Sequence, residues 1–285
     1  MSSLEKLAHS SYESYSETAK AYDVTRVPVG LAILIERFST SGLALAHQHV
    51  LDVGCGTGNY LDALKGTIGL LTGIDGSQEM LLRASQKCAG HSNIALERGS
   101  ILELPFQDRL FDGVMVNQVL HHLSASADLQ QYRQCLAEVF RVLKSGGMLC
   151  INTCSQEQLK PEGPFWYFQV FPEAARYSAL KYAPIGDLLG ILRSLGSTDP
   201  VVQTQPVECF FAKEQYYDVE GPFKKEWRDG DSAFAVYRDQ DDVLATRLGE
   251  LKRKILDHSI SEIVSKSERI RKVIGQYVVI SVRRP

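Results

Sequence analysis

The run Val50-Leu51-Asp52-Val53 opens into Gly54-Cys55-Gly56-Thr57-Gly58, and a second apolar run ends about twenty residues later at Ile74-Asp75. Few arrangements accommodate this order. An apolar strand must enter a glycine-dense turn, a helix must follow, and a second strand must end on an acid. Glycine tolerates positive φ and lets a ligand approach the main chain, while the next helix presents unpaired N–H groups. A carboxylate at the second strand's tip is where nucleotide-binding βαβ units hold a ribose diol. The segment therefore predicts a nucleoside-containing cofactor across two adjacent strand ends.

The spacing narrows the choice. Dinucleotide folds use G-x-G-x-x-G, whereas this chain reads Gly54-x-Gly56-x-Gly58 with Asp52 just before it. An acid there repels a pyrophosphate and suits a cation. No Lys or Arg adjoins the turn, and no Gly-Lys-Ser/Thr follows it. With these features the chain resembles the class I S-adenosylmethionine-dependent methyltransferases. The resemblance runs through Gly73-Ile74-Asp75-Gly76-Ser77 with Met80-Leu81, Gly99 to Phe106, Phe111-Asp112-Gly113-Val114 through Leu120-His121-His122-Leu123, and Arg141 to Gly147. Five ordered segments over roughly residues 45–155 make it specific.

The strand and helix pattern predicts an α/β fold, a doubly wound, mostly parallel seven-stranded sheet of the Rossmann-like type. Strands are expected near 49–53, 70–74, 94–98, 112–117, 147–153, 205–211 and 276–283, with helices near 128–143 and 184–195. Residues 9–46 read as helical around Pro28-Val29-Gly30. The resemblance implies a short hairpin between the last two strands. Here about sixty residues intervene, far more than an ordinary loop, with Val243, Leu244, Leu248, Leu251, Ile255 and Leu256 on one helical face. Three segments follow: an N-terminal helical part, 1–46, closing over the cofactor; the cofactor-binding core, 47–155; and a substrate-side region, 156–285, with a helical cap inserted before the last strand.

The resemblance assigns roles to particular positions. Asp52 orients the methionine amino group, Gly54, Gly56 and Gly58 admit the ligand, and Asp75 with Gly76 receives the ribose. Met80 packs on the adenine or simply fills the core. Ser100 and the Ile101 main chain meet the adenine edge, and Asn117 lies at the methionine end. Tyr22 and Arg26 resemble a Tyr-Asp-x-x-Arg segment that closes over the cofactor, with Arg26 pairing either the methionine carboxylate or a surface acid.

On the acceptor side, His121 is the candidate base, although paired histidines accompany many acceptors in such enzymes. Cys154 leaves the fifth strand at its carboxyl end and Cys209 lies in the expected sixth. Two converging thiols suit a soft centre such as trivalent arsenic, and this resembles short two-cysteine arsenite methyltransferases. The aromatic set Phe165, Trp166, Tyr167, Phe168 and Phe171 either walls an apolar acceptor pocket or forms core. The function expected is therefore methyl transfer to a small molecule. The alternatives are arsenite methylation through Cys154 and Cys209, and a non-catalytic methyltransferase-like partner subunit.

The bulk composition sets outer limits. In 285 residues, 44% are hydrophobic, and the net charge is −3. That balance gives no reason to expect nucleic acid or an anionic membrane as partner. Six cysteines without C-x-x-C spacing argue against a resident metal or a disulfide framework. Met1 to Ala21 has no apolar signal-type run, so a cytoplasmic protein is expected, with a monomer favoured. The run Lys252-Arg253-Lys254 is diluted by Glu250, Asp257 and Glu262, and reads as a solvated helix face.

Overall fold

In the computed structural model, residues 27–123 and 129–285 are described. Tyr22 and Arg26, and most of the expected N-terminal helical segment, lie outside them. Two compact units emerge, and they cut across the three consecutive segments expected. One consists of Gly30–Thr153, Ala183–Gln203 and Val278–Pro285, and the other of Cys154–Tyr182 and Thr204–Tyr277 with residues 27–29.

The first unit contains helix α1 (Leu31–Ser39), strand β1 (His49–Val53), α2 (Asn59–Leu64), β2 (Leu70–Asp75), α3 (Gln78–Lys87), β3 (Ile94–Arg98), β4 (Phe111–Asn117), α4 (Gln130–Val142), β5 (Leu143–Thr153), α5 (Ile185–Ser194), β6 (Val201–Gln203) and β7 (Val278–Arg283). The strands form one seven-stranded sheet in the order β3-β2-β1-β4-β5-β7-β6. All pairs are parallel except those of β7, which is antiparallel to both β5 and β6. Every β1 residue after His49 is buried, as are six of the seven in β4, because helices cover both faces of a parallel sheet. On one face, α4 places Tyr132, Leu136, Val139 and Phe140 against Leu51, Val114, Val116 and Leu149. On α1, Phe38 is fully buried against β4, where a Cβ on Gly113 would stand 2.7 Å from its ring.

The strand order reverses between β1 and β4. In open α/β sheets a ligand crevice lies beyond the carboxyl ends of the strands at such a point. Asp52 near the end of β1, Asn117 at the end of β4 and Asp75 at the end of β2 all reach that edge.

Three expectations need correction. Residues 9–46 are not one helical stretch within the described part: α1 stops at Ser39, and a single 3₁₀ turn, Leu45–His47, precedes β1. The sixth strand is Val201–Gln203, paired with β7, not 205–211. Pro206 lacks the N–H that a ladder needs and directs the chain into a turn, so the β-branched pair Val201-Val202 takes the sheet edge instead. The fifth strand, expected near 147–153, starts at Leu143, so Lys144-Ser145-Gly146-Gly147 is not outside the sheet. It belongs to β5, where Gly146 adopts φ 75° beside a register shift opposite Phe111–Gly113.

The second unit is helical, with Tyr167–Val170, Pro172–Lys181, Lys213–Tyr216, Lys225–Asp229, Asp241–Leu256 and Ile260–Ile274. Its interior is aromatic. Phe211 and Trp227 stack at 5.3 Å and 10°, and Tyr167 meets Trp227 edge-on at 5.3 Å. The polar ends are satisfied, with Trp166 Nε1 donating to the Tyr216 carbonyl at 2.6 Å and Tyr167 OH bonded to Asp231 Oδ2 at 2.7 Å. Phe165, Trp166, Tyr167, Phe168 and Phe171 thus pack as the core of this unit. On Asp241–Leu256 only Leu251 is fully enclosed, whereas Leu256 is 72% exposed and leaves the apolar face expected for it. Among the described residues no helix is long and apolar enough to cross a membrane.

Candidate cofactor site

The glycine turn is fastened to β2. Gly54 N and Cys55 N both donate to the Ile74 carbonyl, at 2.8 and 2.9 Å, and Gly58 N closes on the Cys55 carbonyl at 2.9 Å. All three glycines have positive φ, at 73°, 54° and 80°. Their missing side chains serve different ends. A Cβ on Gly54 would stand 2.6 Å from Val119, and one on Gly58 3.1 Å from Ala84 of α3, so both are packing glycines. A Cβ on Gly56 would meet nothing within 4 Å. Of the three, Gly56 is the one whose bare main chain faces open space.

Asp75 holds this turn from the tip of β2. Its Oδ2 accepts from Gly56 N at 2.9 Å and its Oδ1 from Ser77 N at 2.8 Å. Burial pushes its carboxyl above the usual range, and the two N–H contacts oppose that push. Each oxygen keeps a lone pair for a diol. Gly76 is exposed beside it, with room for a Cβ at 3.8 Å from the Gly99 carbonyl.

Asp52 is 1% exposed, and burial pushes its carboxyl up to about 7 despite a hydrogen bond from Asn117. Asn117 Nδ2 donates to Asp52 Oδ1 at 3.2 Å. Among the described residues, Asp52 Oδ2 and Asn117 Oδ1 have no hydrogen-bond partner. Two buried, unpartnered acceptors on a hydrogen-bonded pair of residues call for a donor that itself accepts nothing. An ammonium carries three N–H donors and a positive charge, so it fits. A phosphate brings more acceptors and negative charge beside two carboxylates, so it does not. The residues present therefore fit the amino end of S-adenosylmethionine and reject a dinucleotide.

The sequence reading missed one cation. Lys87, at the end of α3, reaches back to Thr57 Oγ1 at 3.3 Å and to Asn59 Oδ1. Thirty residues separate it from the turn in sequence, so spacing gave no signal of it. Its ammonium is engaged by those neutral oxygens, while the carboxylates of Asp52 and Asp75 line the strand ends.

Met80 is buried in α3, whose first turn is capped by the Ser77 hydroxyl accepting from Met80 N. Ser100 is exposed just after β3, and its Oγ accepts from Leu102 N at 3.1 Å. Ile101 is half-buried next to it. Past β4, Gln118 adopts φ 54°, with Gln118 Nε2 donating to Asn152 Oδ1 at 2.9 Å. His121 follows on a 3₁₀ turn, is 8% exposed and lies 4.1 Å from the His122 ring, centroid to centroid.

The two candidate thiols both lie in the second unit. Cys154 is 2% exposed and donates to the Gln276 carbonyl at 3.4 Å. Cys209 sits in the irregular segment after Pro206 and not on a strand as expected, and burial pushes its thiol up. Protonated, enclosed thiols are poor ligands until they ionise.

Residues 51–151 match the family model described as "Methyltransferase domain". A demethylmenaquinone methyltransferase of Lactiplantibacillus plantarum is 35% identical over 146 residues, covering 48% of this chain and 59% of the relative. This chain thus spans little more than half the length of that relative. An Anabaena variabilis protein, provisionally assigned as a methyltransferase from an antibiotic biosynthesis pathway, superposes with TM-score 0.70 at 20% identity, over 90% of this chain and 98% of the other. Phosphoethanolamine N-methyltransferase 2 of Haemonchus contortus, solved with S-adenosyl-L-methionine, gives TM-score 0.58 at 18% identity, over 100% and 60%. These likenesses accompany the 3-2-1-4-5-7-6 sheet and the buried acceptors at its strand ends. Residues 51–151 thus match a methyltransferase domain, and the seven-stranded sheet that carries them has the fold of these solved neighbours.

Proposed function

We propose that the protein transfers a methyl group from S-adenosylmethionine to a small-molecule acceptor. The observation that carries this reading is the pair of unpartnered buried acceptors, Asp52 Oδ2 and Asn117 Oδ1, beside the open Gly56 turn. In this reading Asp52 and Asn117 take the ammonium, Gly54, Gly56 and Gly58 shape the main-chain cradle, and Asp75 with Gly76 receives the ribose. Met80, Ser100 and Ile101 face the adenine. Tyr22 and Arg26, which the resemblance brings to the cofactor, lie outside the described residues. The bound sulfonium supplies an already activated methyl, so the protein contributes alignment, exclusion of water and, for a hydroxyl or carbon acid, a base. His121, buried shortly after β4, is the residue proposed for that proton.

The acceptor class follows from two considerations. The relative acts, by its name, on a demethylated quinone, which argues for a ring carbon or oxygen acidified by conjugation. Near-neutral net charge supports an uncharged small acceptor over nucleic acid. Arsenite is the second reading, favoured by two cysteines, 154 and 209, that both flank the segment around Gln276: Cys154 bonds its carbonyl, and Phe210 N, next to Cys209, donates to its Oε1 at 3.0 Å.

The test is incubation of purified protein with methyl-labelled cofactor and a panel of naphthoquinols, catechols, amines, carboxylates and arsenite, with a thiol reductant present. Wild type is expected to bind S-adenosylhomocysteine, with the affinity lost in Asp75→Ala. Unchanged affinity in that variant refutes the site. Turnover of arsenite that vanishes in Cys154→Ser and Cys209→Ser selects the second reading, and turnover of a ring acceptor that persists in both selects the first. No cofactor binding at all favours a non-catalytic partner subunit.

A further inference from the structure

The segment Arg141 to Gly147 closes the resemblance to methyltransferases, yet nothing in the proposed site uses Arg141. Its side chain explains why it stands there. From α4 it crosses to the loop after β3, donating from Nη2 to the Leu104 carbonyl at 2.8 Å and from Nη1 to the Phe106 carbonyl at 2.7 Å. Nη1 also reaches Asp108 Oδ1 at 2.9 Å. One turn earlier on α4, Glu138 takes the Arg141 fork on both oxygens, at 2.9 and 2.8 Å, and accepts from Leu104 N at 2.8 Å. Gln134 Nε2 adds a bond to the Leu102 carbonyl at 3.0 Å. Both polar groups of the Leu104 main chain are therefore held by two side chains of one helix.

The loop transmits that hold to its other end. Glu103 N donates to the Ser100 carbonyl at 3.3 Å and Leu102 N to the Ser100 hydroxyl, so residues 100–104 form a tight turn. Gly99 N donates to the Asp75 carbonyl at 3.1 Å, which ties the start of the loop to the acid read as the ribose ligand. The register pairs Asp75 with Arg98, so Ser100 and Ile101 follow just beyond the strand end that carries this acid. The loop is clamped at both ends with Ser100 and Ile101 between them.

We infer that Glu138 and Arg141 are positioning residues for recognition of the adenine ring, acting through the Leu104 main chain to set Ser100 and Ile101 against its edge. The inference rests on the proposed cofactor reading. A planar fork holding two carbonyls and two carboxylates cannot be copied by a lysine, whose single ammonium serves one of them well. The acid's part is separable: Glu138→Gln keeps an acceptor for Leu104 N, and Glu138→Ala removes it.

The experiment compares S-adenosylhomocysteine with S-inosylhomocysteine, which differs at the base edge alone, by calorimetric Kd on the full chain. Wild type is expected to prefer the adenine ligand. Arg141→Ala and Glu138→Ala are expected to weaken it by about tenfold, the equivalent of one ordinary hydrogen bond, with little change for the inosine ligand. Glu138→Gln is expected to restore the preference, and Arg141→Lys is not. A purely structural role lowers both ligands alike or neither, and either result overturns the inference, as does a wild type without base preference. If Arg141→Ala fails to fold, the Glu138 pair decides. Wild type that binds neither ligand sinks the cofactor reading itself, which separates the two failures.

Discussion

Asp52 makes the sharpest prediction, because its position is unfavourable for the free protein and favourable for the complex. Its carboxyl, 1% exposed, is pushed from an ordinary 3.8 up to about 7 by burial. An acid whose pKa rises on folding stabilises the fold below its unfolded pKa. That contribution is lost as pH rises through the folded value. Between about pH 5.5 and about pH 8 the loss amounts to roughly 1.5 pH units, or ~2 kcal/mol at ~1.4 kcal/mol per unit. Asp52→Asn, which cannot ionise, escapes it. Relative to wild type, the variant is therefore expected to gain about 2 kcal/mol over that pH range, measured by denaturant unfolding of the ligand-free protein. Ligand binding reverses the preference. An ammonium needs the carboxylate, so below about pH 7 wild-type affinity for S-adenosylhomocysteine falls up to about tenfold per pH unit, with a proton released on binding. Titration calorimetry in two buffers of different ionisation enthalpy counts that proton. The variant is expected to bind weakly and without the slope. Parallel stability profiles for variant and wild type, or binding that ignores pH in wild type, refute the reasoning.

Gly56→Ala is expected to cost about 1–2 kcal/mol through its φ of 54° and to obstruct the cofactor, whereas Gly66→Ala, equally open but without positive φ, leaves Kd unchanged. Differential scanning fluorimetry and calorimetry check both. Phe38→Ala empties a fully buried site between α1 and β4 and is expected to destabilise by about 3–5 kcal/mol in chemical denaturation. Burial lowers the His49 pKa, so folding stability is expected to decline as pH falls below about 6.5, where the unfolded chain binds more protons. His49→Gln flattens that acid limb if the assignment holds, and an unaltered limb disproves it.

The cofactor half of the molecule was largely legible before the fold was known. Strands at 49–53, 70–74 and 94–98 appear where β-branched and leucine runs end at glycine or polar breaks, and the helix over 184–195 follows its apolar period. The placement of Asp75 and Asp52 at the strand ends was legible because their distance from the glycine turn is set along the chain by one βαβ unit. The cap helix was read with less accuracy, since Leu251 is enclosed while Leu256 on the same period is exposed, and period alone does not say where a neighbour ends.

The sequence by itself determined the order of strands and helices, the glycine turn and the acids at its edges, because each depends on residues within one or two elements of each other. The tertiary structure alone decided what requires distant segments to meet. It brought Lys87 back to Thr57 and Asn59, joined Asn117 to Asp52 with one buried acceptor on each left without a partner among the described residues, and used Arg141 on carbonyls more than thirty residues upstream. It also moved the sixth strand from 205–211 to Val201–Gln203. There the competition was between equally β-prone runs, and the ladder with β7 together with the missing N–H of Pro206 settled it.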